Sequence, residues 1–257
     1  MTSDDALRAP GELHGVLVIT KKNAMLYYLK PPVLIFGVLF PVFFFITFRL
    51  GRGPAGAGAD VIVPGMLAMA LWFTASAVGP LVTPWERRAK TYERLISAPI
   101  SLRAIVAGDI LSGVIFGAAL SCVPLVVGAL ATDATVASPG LLLLGVLLGA
   151  LAFAALGVLL AAPPAASPSH IMMLSNVVRL PLLFVSGVFV PIAAMPVWAR
   201  WLAPLSPLSY AGDLIRRAYG QAGYFPWWLD VLMLLAFALV LGAGACHFHR
   251  MTRAKGL

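Results

Sequence analysis

The chain has 257 residues, of which 61% are hydrophobic and only 11% are charged, and its mean hydropathy is +0.95. Soluble domains carry about 25% charged residues because their surfaces must be hydrated, so this composition excludes a soluble fold and predicts an integral membrane protein. The net charge is +8, and in a membrane protein such an excess of Lys and Arg is expected in the cytoplasmic connections. A nucleic-acid partner is therefore not expected.

In chain order, the sequence contains six apolar stretches that are long enough to cross a bilayer as helices. A spanning helix needs about 20 apolar residues because lipid cannot form hydrogen bonds with the backbone. The predicted fold is an all-α bundle in one transmembrane domain, residues 1–257. Its spans are expected at residues 31–48, 61–83, 104–130, 139–162, 168–190 and 228–248. Lys and Arg concentrate on the side of both termini, which predicts cytoplasmic termini in the plasma membrane.

The loop after the second span, residues 84–103, is predicted to contain a short two-faced helix. Four apolar residues recur at helical spacing and form a stripe, namely Trp85, Ala89, Tyr92 and Ile96. Pro99 then ends the helix. Two interpretations are open: an interfacial helix that only rests on the headgroups, or a docking helix that receives force from a cytoplasmic partner.

Two of the ionisable residues inside the predicted spans are candidates for a functional role. Asp109 stands near the start of the third span and is interpreted as a helix-end carboxylate at the water boundary. Arg179 lies within the fifth span, and two positions are open for its side chain. If the helix begins near Ser167, the guanidinium is deep and must face a pathway or a partner group. If the helix begins later, the side chain extends to the headgroups.

The third and fourth spans each carry two glycines four residues apart, Gly113 with Gly117 and Gly145 with Gly149. Glycines at this spacing share one helix face and allow two backbones to approach closely. The pattern predicts close helix packing without identifying the partner helix.

The segment between the fifth and sixth spans, residues 191–227, is rich in proline and aromatic residues. It predicts short helices that lie at the outer surface or dip back into it. Trp and Tyr side chains are typical of membrane–water interfaces. This position is expected for Trp198, Trp201, Tyr210 and Tyr219.

Residues suited to catalysis or metal binding are sparse. The histidines are scattered near segment ends, and the two cysteines, Cys122 and Cys246, have no paired spacing. The glycine-rich phosphate loop of many ATPases is absent from the sequence, since Lys90 and Thr91 follow Glu-Arg-Arg-Ala. No catalytic residue, metal site or cofactor bound by this chain is expected.

Two segments and the arrangement of spans resemble the permease subunits of type-2 ATP-binding-cassette (ABC) exporters, which include drug, polysaccharide and nodulation-factor exporters. The stretch WERRAKTYERLISAPIS is similar to that family's coupling segment, with matches at Glu86, Thr91, Glu93, Leu95 and Pro99. It departs from the family pattern at Lys90, which replaces a small residue. The stretch between spans five and six is similar to a second family pattern, with matches at Ser186, Gly187, Pro191, Pro207 and Tyr210.

The resemblance implies a half-transporter with two protein partners: a cytoplasmic ATPase subunit that binds ATP and Mg, and a second copy or paralogue of the permease. It also implies an interfacial elbow helix at residues 11–30 and a coupling helix at residues 86–97. The residues expected to couple to the ATPase are Glu86, Arg87, Lys90, Thr91, Glu93, Arg94 and Pro99. Arg179 and Asp109 are the candidates for the pathway or for polar contacts within the membrane. The implied substrate is hydrophobic or amphipathic, of the drug, lipid or glycan class.

Other functional classes stay open at this point. An ion-coupled secondary carrier places carboxylates at mid-membrane, and only Asp109 and Arg179 come near such a position. A membrane enzyme needs paired catalytic groups, which the sequence does not offer. A membrane assembly scaffold is compatible with the sequence.

Overall fold

A computed structural model describes residues 12–27, 59–89, 100–132, 134–163 and 167–254, with isolated positions between 35 and 47. The described residues form helices joined by turns and contain no β-strand, which confirms the all-α prediction. In chain order the helices are α1 (Glu12–Tyr27), α2 (Ala59–Ala75), α3 (Val78–Arg88), α4 (Leu102–Ala131), α5 (Pro139–Ala161), α6 (Pro168–Val185), α7 (Val197–Leu202), α8 (Pro207–Ala218) and α9 (Trp227–Ala254). Short 3-10 turns at Ile192–Ala194 and Ala203–Leu205 flank α7.

Five helical runs in the described part of the chain are long and apolar enough to cross a bilayer. They are Ile62–Arg88, Leu102–Ala131, Pro139–Ala161, Pro168–Val185 and Trp227–Met251. Each overlaps one of the predicted spans two to six, so the fold is that of a multi-pass membrane protein. The predicted first span, residues 31–48, lies almost entirely outside the described residues, and the total of six spans stays a prediction.

The central helix of the bundle is α5, which contacts α2, α3, α4, α8 and α9. Its glycines permit this close packing. A Cβ atom added to Gly149 would lie 3.0 Å from the Cβ atom of Ala211, and Gly145 also faces α8. The glycine pattern of the fourth predicted span therefore has its partner in α8. On another face, Trp72 packs edge-on against Phe153 with ring centroids 4.8 Å apart.

The second predicted span is not one continuous helix, because Ser76 and Ala77 separate α2 from α3. Pro80 explains the interruption. It has no amide hydrogen to donate to the Ser76 carbonyl, and in a continuous helix its ring would collide with that carbonyl. In the observed structure Pro80 lies in the first turn of α3, where a missing amide hydrogen costs little.

The helix α3 also extends beyond residue 83, the predicted end of the span. Pro84 lies inside α3, where it removes one helical hydrogen bond without stopping the helix. Residues 86–88 therefore form the last turn of α3 and do not begin a separate helix, while the coupling role of residues 86–97 stays a prediction. The remainder of that predicted helix, after Ala89, lies outside the described residues.

Glycines of two neighbouring helices surround the interruption between α2 and α3. A Cβ atom on Gly113 would lie 2.8 Å from the Ala75 carbonyl oxygen, and one on Gly117 would lie 2.7 Å from the Ala75 Cβ atom. From α5, a Cβ atom on Gly157 would lie only 2.4 Å from the Ser76 carbonyl oxygen. The glycine pattern of the third predicted span therefore has its partner in α2.

The last two spans differ in length from their predictions. α6 ends at Val185, earlier than residue 190, because Ser186 and Gly187 turn the chain. Ser186 Oγ donates to the Leu183 carbonyl over 2.6 Å. Gly187 has φ +86°, a left-handed conformation that glycine adopts without a steric penalty. α9 instead continues to Ala254, beyond the predicted residue 248.

Candidate functional site

A first polar cluster joins α1 to α3 and α4, and it consists of Lys22, Asn23, Glu86 and Asp109. Lys22 Nζ forms an ion pair with Glu86, whose exposed fraction is 5%. Asn23 is fully buried, and its Nδ2 donates to Asp109 Oδ1 over 2.7 Å and to Ser112 Oγ over 3.1 Å. These contacts fix α1 against two helices of the spanning bundle.

The predicted position of Asp109 at the water boundary is wrong. Its exposed fraction is 4%, because α1 packs over this part of α4. The neighbouring Gly108 permits that packing, since a Cβ atom there would lie 2.6 Å from the Ile19 Cβ atom. Asp109 and Asn23 are 86 residues apart in the chain, so no local pattern could have indicated the contact.

The last turn of α3 also contacts the turn that follows α5. Arg87 Nη1 and Nη2 donate to the carbonyls of Pro163 and Ala162, each over 3.1 Å. Carbonyls at a helix C-terminus lack partners within the helix, so the guanidinium supplies donors where they are needed. Glu86 and Arg87 thus connect the end of α3 to α1 and α5. The other residues assigned to coupling lie outside the described residues: Lys90, Thr91, Glu93, Arg94 and Pro99.

Arg179 lies deep in the bundle, so the alternative in which its side chain extends to the headgroups is wrong. α6 begins at Pro168, which places Arg179 about 16 Å along the helix. Its exposed fraction is 6%. Nη2 donates to the Phe73 carbonyl over 3.0 Å, and the guanidinium lies 5.1 Å from the centroid of the Phe73 ring. The partner group is therefore the last turn of α2, beside the interruption at Ser76 and Ala77.

A second polar cluster lies between α8 and α9, and it consists of Asp213, Arg216, Arg217 and Asp230. Asp213 is 1% exposed, and its two carboxylate oxygens accept hydrogen bonds from the amides of Tyr224 and Phe225, each over 2.9 Å. Two arginines and two carboxylates balance the formal charge of this buried cluster, as the cost of burying ions requires.

The arginines of the second polar cluster link its two carboxylates. One Nη2 atom from each arginine lies near Asp213, at 3.7 Å for Arg216 and 3.8 Å for Arg217. Arg217 Nε lies 3.9 Å from Asp230 Oδ2. Burial lowers the pKa of Arg216, and the two carboxylates oppose that shift. Arg216 Nη1 also donates to the Gly187 carbonyl over 2.7 Å, which joins α8 to the end of α6.

All five residues of the predicted second family pattern shape the connection between α6 and α8. Ser186 and Gly187 form the turn after α6, Pro191 precedes a 3-10 turn, and Pro207 is the first residue of α8. The Tyr210 hydroxyl donates to the Pro204 carbonyl over 3.1 Å. Burial, and then the charge of Asp230, raise the pKa of Tyr210, so the phenol keeps the proton that it donates.

The aromatic residues of this connection occupy two different environments. Trp198 and Trp201 are 65% and 79% exposed, as expected for a membrane interface. The same expectation is wrong for Tyr210 and Tyr219, which are 2% and 8% exposed. The reason is that α8 packs into the bundle against α5 rather than lying on its surface.

Most members of the two polar clusters were not predicted from the sequence. One signal for the second polar cluster is present in the sequence. Opposite charges three and four residues apart meet on one face of a helix, and this spacing relates Asp213 to Arg216 and Arg217. Asp230 could also have been recognised as a candidate, because it is a carboxylate inside the predicted sixth span. Lys22 and Asn23 carried no signal, since their partners are distant in the chain.

Neither cluster is arranged like a metal site or an acid–base pair. In the described ranges, no three His, Cys, Asp or Glu side chains are grouped so that they could hold a metal ion. Asp109 accepts from an amide side chain, and Asp213 lies beside two arginines. What these contacts do is hold the helices in a fixed arrangement.

Reversing the charges of Lys22 and Glu86 tests whether their ion pair joins α1 to α3. Lys22→Glu and Glu86→Lys are each expected to lower the melting temperature of the purified protein, because each places like charges together in a largely buried site. The double variant Lys22→Glu/Glu86→Lys restores opposite charges and is expected to recover most of the loss, with a coupling energy of about 0.5–3 kcal/mol. Losses that simply add in the double variant would show that the two side chains do not interact.

Comparison with known proteins identifies the group to which the chain belongs. The ABC-2 type transporter family matches residues 14–219. The daunorubicin resistance ABC transporter permease protein DrrB1 of Streptomyces coeruleorubidus is 27% identical over 232 residues, which cover 85% of this chain and 79% of that protein. The Porphyra purpurea protein named "Putative transport permease ycf38" is 42% identical over 59 residues, 22% of this chain and 20% of that protein. The chain belongs to the ABC-2 type transporter family and is a permease subunit of the type-2 ABC group.

Proposed function

We propose that the chain forms the membrane-spanning half of an ATP-driven exporter for a hydrophobic or amphipathic substrate of the drug, lipid or glycan class. A separate cytoplasmic ATP-binding-cassette subunit binds ATP and Mg and hydrolyses the nucleotide. A second permease, either a copy or a paralogue, completes the pathway in the plasma membrane, and both termini of this chain face the cytoplasm. The family match over residues 14–219 is the observation that carries this proposal.

The contacts at the end of α3 support a route by which an ATPase would move the helices. A force on the segment after Arg88 reaches the last turn of α3 first. From there it passes to α1 through Glu86 and Lys22, and to the end of α5 through Arg87. Because α5 contacts most of the other spanning helices, its displacement alters the whole bundle. Alternating access follows from two arrangements of these joined helices.

The hydrogen bonds of two buried carboxylates favour this function over an ion-coupled carrier. Asp109 and Asp213 accept short hydrogen bonds from neighbouring groups, whereas a carrier needs carboxylates that exchange their ion during transport. In addition, one relative is named for daunorubicin resistance, which supports a drug-class substrate for this chain.

Co-purification with a charge-reversal variant tests the proposal. The tagged chain, extracted gently from its native membrane, is expected to bring a stoichiometric soluble ATPase with it. Glu93→Lys in the predicted coupling segment is expected to abolish transport and substrate-stimulated ATP hydrolysis, while the protein stays folded. The control Glu12→Lys reverses an exposed charge on α1 and is expected to leave both activities intact.

Two results would contradict the proposal. A chain that purifies without an ATPase excludes an ATP-driven complex. Unchanged transport in Glu93→Lys excludes the coupling role of the segment at residues 86–97, even if an ATPase is present.

A further inference from the structure

A cleft of about 490 Å³ opens between α4 and α9, at the end of the bundle where α4 begins and α9 approaches its end. Its rim is basic, with Arg103 from α4 and His247 and Arg250 from α9. Its walls are apolar and include Val106 and Ile110. The rim and the walls therefore differ sharply in polarity.

Small residues of both helices line the cleft, and α5 packs against the two helices that form it. Val106, which lines the cleft, also packs with Val158 of α5 and Ala245 of α9 in one buried group. At Gly242 an added Cβ atom would find its nearest neighbour, Ile110 Cδ1, at 3.8 Å, so the position leaves room beside it. The space is thus a feature of how α4 and α9 pack.

The basic rim has no counter-charge of its own in the part of the chain that the structure describes. The ion pairs found there involve other residues, and none includes Arg103 or Arg250. Both arginines are exposed. They come from antiparallel helices, and their positive charges converge on one opening.

We propose that this cleft binds an anionic phospholipid, with the phosphate between Arg103 and Arg250 and an acyl chain along Val106, Ile110 and Gly242. Basic pockets between spanning helices are suited to acidic headgroups. The same end of the bundle carries α1 and is predicted to face the cytoplasm, where the leaflet is rich in anionic lipid. The apolar walls explain why a lipid and not a free phosphate is the occupant, since a phosphate ion would leave them without a partner.

Bound phospholipid acts at a place distinct from the proposed coupling segment. It bridges the start of the third predicted span and the end of the sixth, two helices that each contact α5. An occupied cleft holds these helices at a fixed separation. The lipid is therefore expected to stabilise the permease, independently of which substrate is exported.

Native mass spectrometry of the full chain tests the proposal, with dioleoyl phosphatidylglycerol as the probe and dioleoyl phosphatidylcholine as the neutral comparison. The wild type is expected to retain phosphatidylglycerol at low detergent concentration and to release phosphatidylcholine. Arg103→Gln/Arg250→Gln is expected to weaken phosphatidylglycerol binding about thirtyfold, from the loss of two basic contacts to an acidic headgroup. Lys21→Gln/Arg88→Gln removes two exposed charges from the same end of the protein and is expected to bind like the wild type.

A second variant tests the apolar wall without changing charge. Ala107 lines the cleft and is exposed, so Ala107→Trp fills the space and is expected to weaken lipid retention while the melting temperature without lipid is unchanged. Equal retention in Arg103→Gln/Arg250→Gln and in Lys21→Gln/Arg88→Gln would overturn the proposal. Equal retention of the two lipids by the wild type, or displacement of phosphatidylglycerol by millimolar inorganic phosphate, would also overturn it. None of these outcomes depends on ATP hydrolysis or transport, so failure of this proposal is separate from failure of the proposed function.

Discussion

The variant Gly157→Ala is expected to lower the melting temperature of the purified permease substantially. Its added methyl group would lie 2.4 Å from the carbonyl oxygen of Ser76 and 2.9 Å from the carbonyl carbon. These are backbone atoms, so they cannot rotate away as a side chain would. Overpacking typically costs about 1–3 kcal/mol, which exceeds the roughly 0.5–1 kcal/mol by which alanine favours a helix over glycine. Thermal unfolding in detergent, followed by size-exclusion chromatography, measures the difference.

The same helix supplies a matched control for this variant. Gly140 also lies in α5, but a Cβ atom added there would find no atom within 4 Å. Gly140→Ala is therefore expected to leave the melting temperature unchanged or slightly higher. If both variants melt at the same temperature, the close approach of α5 to the interruption between α2 and α3 is not a determinant of stability.

The need for glycine at position 157 shows what hydropathy predicts and what it does not. Apolar run length indicates where helices cross the membrane, because the bilayer imposes that length on every span. It does not indicate where a helix is interrupted inside an apolar run. The signal for the interruption was Pro80, whose effect on the Ser76 carbonyl is local chemistry. The packing that stabilises it comes from Gly157, far along the chain.

Arg179 shows, for the candidate site, which properties of a residue can be predicted from the sequence and which cannot. The depth of Arg179 depends on where α6 begins. Ser167 and Pro168 indicate a helix N-terminus at that point. The hydrogen-bond partner of Arg179 could not be predicted, because it is a backbone carbonyl oxygen, that of Phe73, 106 residues away in the chain. Patterns in a sequence predict which residues share a helix face, whereas contacts between distant helices depend on the three-dimensional packing. For this reason the contacts within the first polar cluster could not be predicted from the sequence.

The variant Asp213→Ala is expected to cause a larger loss than Gly157→Ala. Removing the carboxylate leaves the amides of Tyr224 and Phe225 without their acceptor and leaves Arg216 and Arg217 with less counter-charge. Breaking a buried ion pair by deleting one partner costs about 3–5 kcal/mol. Since proteins are stable by only about 5–15 kcal/mol, most of the chain is expected to be lost as aggregate on extraction.

Two further variants separate the charge of Asp213 from its hydrogen bonds. Asp213→Asn keeps one carbonyl acceptor for the turn at Tyr224 and Phe225 but removes the charge, so its loss of stability is expected to be intermediate. Glu12→Ala removes an exposed carboxylate from α1 and is expected to have little effect. The yield of monodisperse protein and its melting temperature should therefore fall in the order Glu12→Ala, Asp213→Asn, Asp213→Ala. A carboxylate that accepts from two amides and balances two arginines cannot be removed without a loss of stability. If Asp213→Ala behaves like Glu12→Ala, the second polar cluster therefore does not hold α8 against α9.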